Sequence, residues 1–180
     1  MITDIICEQL VAKKIEPKDI VKAFVVFMLI MSVTLGVSVL VDMLLSVYFG
    51  GVWLLSLIGG CYLAYRYMKT LSIEYEYIFV NGEMTVDKII AKSSRKRLFS
   101  FDTRTIEKMG KYDPNAFANK QYDSRLNFSE TYAGEGAYFA EIRDKKHGSV
   151  LLIFSPNEKI ISALKPYMNK LVYREAFPNI

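Results

Sequence analysis

Two periods of hydrophobic and polar residues divide the chain. Positions 23–41 (AFVVFMLIMSVTLGVSVLV) carry no charge, and neither do positions 43–65 (MLLSVYFGGVWLLSLIGGCYLAY). A membrane-crossing helix needs about 20 mostly apolar residues at about 1.5 Å of rise each. The stretch 22–70 therefore predicts a transmembrane helical hairpin, with spans at about 22–48 and 52–69 and a tight turn at Gly50-Gly51. A cleaved signal peptide fits less well, because about twenty polar and mixed residues precede the first apolar run and no convincing small-residue cleavage site follows it. A hairpin buried in a soluble core would rarely go so long without charge.

From Ser72 the period falls to two. Ile73, Tyr75, Tyr77 and Phe79 alternate with Glu74, Glu76 and Ile78, Asn81-Gly82 is a strong hairpin signal, and EMTVDKII returns as a second strand. Further strands are expected at about 96–102 and 104–109. After a polar stretch around Pro114 come RLNFSET, AYFAEIRD and SVLLIFS, with AGEGAY and Lys145-Lys146-His147-Gly148 as turns. Ser155-Pro156-Asn157-Glu158 opens an amphipathic helix bearing Ile160, Leu164, Tyr167 or Met168, and Leu171 on one face, which Pro166 kinks or divides. The expected fold class is thus α+β: a two-helix transmembrane hairpin followed by a pleckstrin-homology-like (PH-like) bent antiparallel β-domain of about seven strands, closed by a C-terminal α-helix. A plain β-sandwich with a trailing helix is the alternative.

Residues 1–21 read as an amphipathic interfacial segment, with Ile2, Ile5, Ile6, Leu10 and Val11 set against Lys13, Lys14 and Lys18, and Pro17 suited to the first turn of the next helix. The expected divisions are 1–21, the hairpin 22–70 and a cytoplasmic domain 71–180. Lys13, Lys14, Lys18 and Lys22 flank one end of the hairpin and Arg66 and Lys69 the other, whereas the turn has no Lys or Arg. The positive-inside rule then makes the chain a multi-pass cell-membrane protein with both termini cytoplasmic. Tyr48, Phe49 and Trp53 would form the outer aromatic belt and Tyr62, Tyr65 and Tyr67 the inner one. Asp42 lies twenty residues beyond Lys22, roughly 30 Å along a helix, which puts it at the outer interface rather than mid-membrane. Ser56, Gly60 and Ala64 in the second span, and Ser32 and Gly36 in the first, recur every four residues as helix-packing positions, within the hairpin first and in a homo-oligomer second.

Composition narrows the function. Hydrophobic residues make up 52% of the 180, and the net charge is +4. From Leu71 onward 17 Lys and Arg face 14 Asp and Glu, leaving +3, too balanced for a dedicated nucleic-acid binder. Cys7 and Cys61 are isolated, so neither a disulfide framework nor a zinc pattern is present.

The run EYEYIFVNGEMTVDKIIAKSSRKRLFSFD directly after the apolar stretch, together with LLIFSPNEKIISALKPY, resembles a domain-of-unknown-function family of small two-span membrane proteins from clostridial Firmicutes with a bacterial PH-like cytoplasmic domain. The resemblance covers nearly the whole chain. It implies a bacterial plasma membrane and a PH-like domain, and it supplies no activity and no catalytic residues.

The residues themselves offer little chemistry. His147 is the only histidine and reads as a solvated turn residue; no phosphate-binding glycine loop occurs; and Glu74 and Glu76, two apart on a strand, share a solvent face. Catalytic, cofactor and metal sites are all expected to be absent, and the chain is expected not to be an enzyme. Lys92, Arg95, Lys96 and Arg97, at the turn between the second and third strands, form the one basic cluster, partly offset by Asp87 and Asp102. If that turn faces the bilayer, each charge adds about 1 kcal/mol of attraction to anionic lipid. The expected function is a non-enzymatic membrane-anchored adaptor whose partners are the lipid bilayer and another membrane or cytoplasmic protein. Anionic-lipid or envelope-stress sensing is the alternative, and an enzyme or transporter subunit is the remote one.

Overall fold

The computed structural model describes residues 5–45, 50–144 and 147–177, with side chains given outside 45–52. Ile2 of the expected interfacial segment, Tyr48 and Phe49 of the outer belt, and Lys145-Lys146 lie outside the described residues. The chain forms two compact units, residues 1–14 with 73–180 and residues 15–72.

The first unit is a pair of four-stranded sheets. One orders β1 (Ile6–Ala12), β2 (Ile73–Val80), β3 (Glu83–Ile90) and β4 (Ser94–Asp102), all antiparallel. The other combines β5 (Ile106–Lys111), β6 (Ser124–Asn127), β7 (Tyr138–Asp144) and β8 (Gly148–Phe154) in the order β5-β7-β8-β6. Seven of the eight strands fall where the period-two pattern puts them. The eighth, β1, replaces the expected interfacial helix. Its register runs from Ile6 opposite Val80 to Ala12 opposite Glu74. Val11 turns inward and is 3% exposed, while Ile6 and Leu10 face out at 61%. A local helix would satisfy only its own backbone; pairing with β2 also buries Val11 and lets Gln9 work as a clamp. The Gln9 side chain donates to the Ser155 carbonyl (2.8 Å) and accepts from the Asn157 amide (2.8 Å).

Two further expectations change. The sheets are not wholly antiparallel, because β6 pairs parallel with β8. AGEGAY consequently belongs to a longer loop rather than a hairpin turn. Strand β6 ends at Asn127, short of the expected Thr131, because the Asn127 side chain accepts from the Ser129 amide (3.0 Å) and donates to the Tyr132 carbonyl (2.9 Å), bending the chain out of the ladder.

Tyr77, Phe79, Met84, Val86, Phe99 and Phe101 of the first sheet share one core with Ile142, Val150, Leu152 and Phe154 of the second. The Tyr77 hydroxyl, fully buried, donates to the Phe128 carbonyl (2.6 Å) and accepts from the Ser155 amide (3.2 Å); burial pushes its pKa up. Two helices close the core in place of one: α3 (Glu158–Leu164) and α4 (Lys170–Ala176) flank Pro166, which cannot continue a helical hydrogen-bond ladder. Asn157 and Asn169 cap their first turns. Asn81 and Gly82 both take positive φ (49° and 96°), as a two-residue hairpin turn of this hand requires.

The second unit is a helix pair, α1 (Pro17–Leu45) and α2 (Gly50–Thr70). Pro17 opens α1 as expected, and the Asp19 carboxylate accepts from the Glu16 amide (3.1 Å). Among the described residues one helix, Pro17–Leu44, is long and apolar enough to cross a membrane, and only 6% of its most apolar stretch is buried. α2 carries Arg66 and Lys69 in its last turns, which lowers its hydropathy over the residues described. Gly60 and Ala64 lie at the contact with α1, where a Cβ on Gly60 would sit 3.0 Å from Thr34 Oγ1; Ser56, one turn earlier on α2, is half-buried. Ser32 and Gly36 do not join this contact. Ser32 is exposed, and a Cβ added to Gly36 would meet nothing within 4 Å, because the face that meets α2 is the one bearing Ile30, Thr34 and Ser38. Asp42 falls in the last described turn of α1.

Gln9→Ala should lower the stability of the folded domain by about 1–3 kcal/mol, since it leaves a carbonyl and an amide unpaired at the β8–α3 junction. Denaturant unfolding followed by circular dichroism measures this, and an unchanged midpoint would show that β1 is not docked.

Candidate functional site: the β3–β4 hairpin and the open edge of β4

The four basic residues read as one cluster are separated by the pleat of the sheet. Arg95 and Arg97 project from the outer face, where Arg95 Nη2 lies 2.5 Å from Glu76 Oε2 and Arg97 Nε lies 3.7 Å from Asp87 Oδ1. Register explains the arrangement: Glu76 stands opposite Asp87, and Asp87 opposite Arg97, across β2, β3 and β4. Glu76 and Asp87 are only 7% and 5% exposed, so Glu76 is not on a solvated surface as its spacing from Glu74 suggested. Two carboxylates facing each other across a ladder repel. The flanking guanidiniums offset that repulsion, although neither Glu76 Oε2 nor Asp87 Oδ1 gains a hydrogen bond, which leaves contact by charge.

Lys96 belongs to the other face. It stands opposite Lys88, a residue absent from the sequence-level candidates, and Lys88 stands opposite Tyr75. Among the described residues no carboxylate pairs with Lys88, Lys92 or Lys96. Only strand register brings Lys88 to this group, since it lies four positions before Lys92 and eight before Lys96. Lys92 sits at the tip of a tight turn closed by the Ser93 amide donating to the Ile90 carbonyl (3.1 Å). Ala91 and Lys92 hold φ of 54° and 56° there, a conformation that costs non-glycine residues roughly 1 kcal/mol each. The turn lies at the end of the sheet where the chain leaves β1 and returns to β2: Ile90 pairs with Ile73, whose carbonyl accepts from the Lys13 amide (2.9 Å).

At the other end, β4 borders a cleft of about 640 Å³ lined by Asn81–Glu83, Arg97–Asp102, Asp144 and His147. His147 is half-exposed, with Nδ1 2.5 Å from Asp144 Oδ2 and its ring edge-on to Phe99 at 5.5 Å between centroids. Ser100 shares the cleft, but its hydroxyl donates to Glu83 Oε1 (2.6 Å) and lies 3.1 Å from Thr85 Oγ1. The nucleophile-to-base hydrogen bond of an acyl-transfer site is therefore not made. Among the described residues no group of three or more His, Cys, Asp or Glu is placed to hold a metal.

Burial raises the pKa of Tyr75, opposite Lys88; a second set of perturbed groups lies away from both features. The Tyr122 hydroxyl donates to Glu141 (2.6 Å), and Lys120 Nζ lies 3.2 Å from the same oxygen. Burial, then the bond to Glu141, pushes the phenol up; Glu141, although burial opposes its charge, is held below the usual carboxylate range by Tyr122 and the nearby lysines. Each member satisfies the others, as in a structural network rather than a reactive one.

Two sheets that share one core and are closed by C-terminal helices agree with a PH-like domain. The family model for the bacterial PH-like domain DUF6106 matches residues 3–174, and the chain belongs to that family. The matched range spans α1 and α2 as well as the strands. No curated protein and no solved structure matches the chain.

The charge partition separates structural cations from free ones. Arg95→Ala should destabilise the domain by about 1–2 kcal/mol by stranding Glu76, whereas Lys96→Ala should change stability by less than about 0.5 kcal/mol and Lys92→Gly should raise it by about 1 kcal/mol. Denaturant midpoints for the three variants decide the matter; equal effects would show that Arg95 and the lysines form a single surface cluster after all.

Proposed function

We propose that the chain is a non-enzymatic, membrane-anchored adaptor that presents its PH-like domain at the inner leaflet of a bacterial membrane to another protein. In this reading α1 and α2 are the two spans of a hairpin and both termini are cytoplasmic. The observation that carries it is the site of insertion. The helix pair interrupts the domain between β1 and β2, two strands paired over seven residues. Pro17 follows Lys14 by three positions, and Ile73 follows Thr70 by three, so each link reaches at most roughly 10 Å. A double tether of that length holds the domain against whatever surface contains the helices. The exposure of Phe24, Val25, Met28, Leu29, Val33 and Val37 supports a lipid environment, since apolar surface on this scale is unfavourable in water.

Membrane insertion and topology are checked together in a variant whose native cysteines are replaced by Ala. The protein should resist alkaline carbonate extraction. A cysteine at Phe49 should react with an impermeant maleimide on intact cells, and one at Lys108 only after lysis. Carbonate release, or labelling of Lys108→Cys in intact cells, defeats the proposal.

A second reading is favoured by the unpaired lysines. Lys88, Lys92 and Lys96 lie at the sheet end next to both tethers, and Lys92 keeps a backbone conformation better suited to glycine, a cost of the sort retained where a side chain has a use. Anionic lipid contact by this end would orient the domain on the bilayer. Full-length protein in phosphatidylglycerol nanodiscs should then show slower amide exchange over 88–97 than in phosphatidylcholine nanodiscs, with the difference lost at high salt. Identical exchange in the two lipids removes this reading and leaves the adaptor standing.

A further inference from the structure

We propose that the open edge of β4 from Phe99 to Asp102 is a docking site for an extended peptide bearing basic side chains, which binds as an added strand. The cleft touches six consecutive residues of β4, Arg97 to Asp102. Successive side chains of a strand point to opposite faces, so a cleft that meets all six follows the strand's edge rather than either face. β4 is the terminal strand of its sheet, and in an antiparallel strand alternate residues turn both N–H and C=O outward. The stretch 99–102 therefore offers main-chain donors and acceptors to an incoming strand, the mode of recognition in which backbone bonds give affinity and side-chain pockets give selectivity.

The two halves of β4 differ. Arg95, Lys96, Arg97 and a bulge opposite the Val86/Asp87 step occupy the first half, and charge and bulging are what blunt a sheet edge against pairing. Phe99 to Asp102 has neither a cation nor a bulge.

Charge selects the partner. Glu83, Asp102 and Asp144 line the cleft, whereas Arg97, the cation among its described lining residues, leans toward Asp87 on the outer face. Arg104 lies 3.6 Å from Asp102 and His147 lies 2.5 Å from Asp144, so Glu83, which among the described residues is held by the neutral Ser100 hydroxyl and by no cation, is the carboxylate that meets an incoming Lys or Arg. A second copy of the chain is a poorer occupant. Its own Phe99–Asp102 stretch would bring no Lys or Arg to those carboxylates.

This rests on the binding-module reading above, but it is tested apart from membrane insertion, because the peptide site belongs to the β-domain. Full-length protein in detergent micelles would be panned against a displayed library of random peptides, and the selected sequences synthesised. Selected peptides should alternate Lys or Arg with apolar residues and exclude Pro, and their binding should slow amide exchange at 99–102. The variant Glu83→Gln should bind them at least about tenfold more weakly with its unfolding midpoint unchanged. Acidic peptides, no selection, or protection elsewhere on the protein would each overturn the proposal. So would protection at 99–102 that appears without peptide as concentration rises, which would assign the edge to a second copy.

Discussion

The pairing of β1 with β2 is the constraint on which the rest of the structure depends. Ala12 meets Glu74 across the sheet, and everything between them in sequence is the helix pair and its links. A flexible loop of that length would be entropically costly to close, with the cost growing slowly as the loop lengthens. Here most of the intervening residues are helical, so the closure is made by two packed rods that return the chain to its starting point. The contact of α1 with α2 through Gly60, Ala64 and Thr34 thus matters to a β-sheet in which none of those residues takes part. Conversely, the Gln9 clamp on Ser155 and Asn157 ties the first strand to the junction of the last strand and the closing helix.

What was legible in the sequence was whatever is decided locally. Asn81-Gly82 specifies its own turn because few other pairs adopt two consecutive positive φ values cheaply, and Pro166 divides the last helix because it lacks an N–H. The hidden features depend on partners distant in the chain. Ile5, Ile6, Leu10 and Val11 fit a helical stripe as well as they fit a strand, and only the free edge of β2, more than sixty residues away, decides between them. The parallel pairing of β6 with β8 is invisible for the same reason. In α1 the small-residue rule singled out Ser32 and Gly36, but the face meeting α2 is chosen by the rotation of the whole helix, and Thr34 and Ser38 lie on it. Both hydroxyls are satisfied by carbonyls of their own helix, which lets them sit at a packed surface without unmet hydrogen bonds.

The basic run at the β3–β4 turn shows how a linear charge count misleads. Counted along the chain, Lys92, Arg95, Lys96 and Arg97 form one patch. Folded, the pleat sends the arginines to the face where Glu76 and Asp87 are buried and leaves Lys96 beside Lys88 on the other. Arginine suits the first role, since its weakly hydrated guanidinium tolerates partial burial against a carboxylate, and lysine suits the second, since a strongly hydrated ammonium stays in water or at a headgroup. The choice of residue at each position agrees with the environment it meets.

The two ends of the first sheet are unlike in what they can bind. The end at which the chain leaves β1 and re-enters β2 gathers lysines that no carboxylate pairs among the described residues; the far end has an open strand edge lined by carboxylates. An added strand of about four residues contributes few hydrogen bonds, each worth only about 1 kcal/mol net, so such a site acting alone would bind weakly. In the proposed membrane-anchored arrangement a short double tether changes this, because a partner held in the same bilayer would meet the edge at a high effective concentration, and affinity too small to gather a soluble protein would suffice for a membrane-bound one. Under that proposal the insertion of the helices between two paired strands, rather than at a terminus on a long linker, would keep that concentration high, and the anchor would act as part of the binding site's energetics as well as its address.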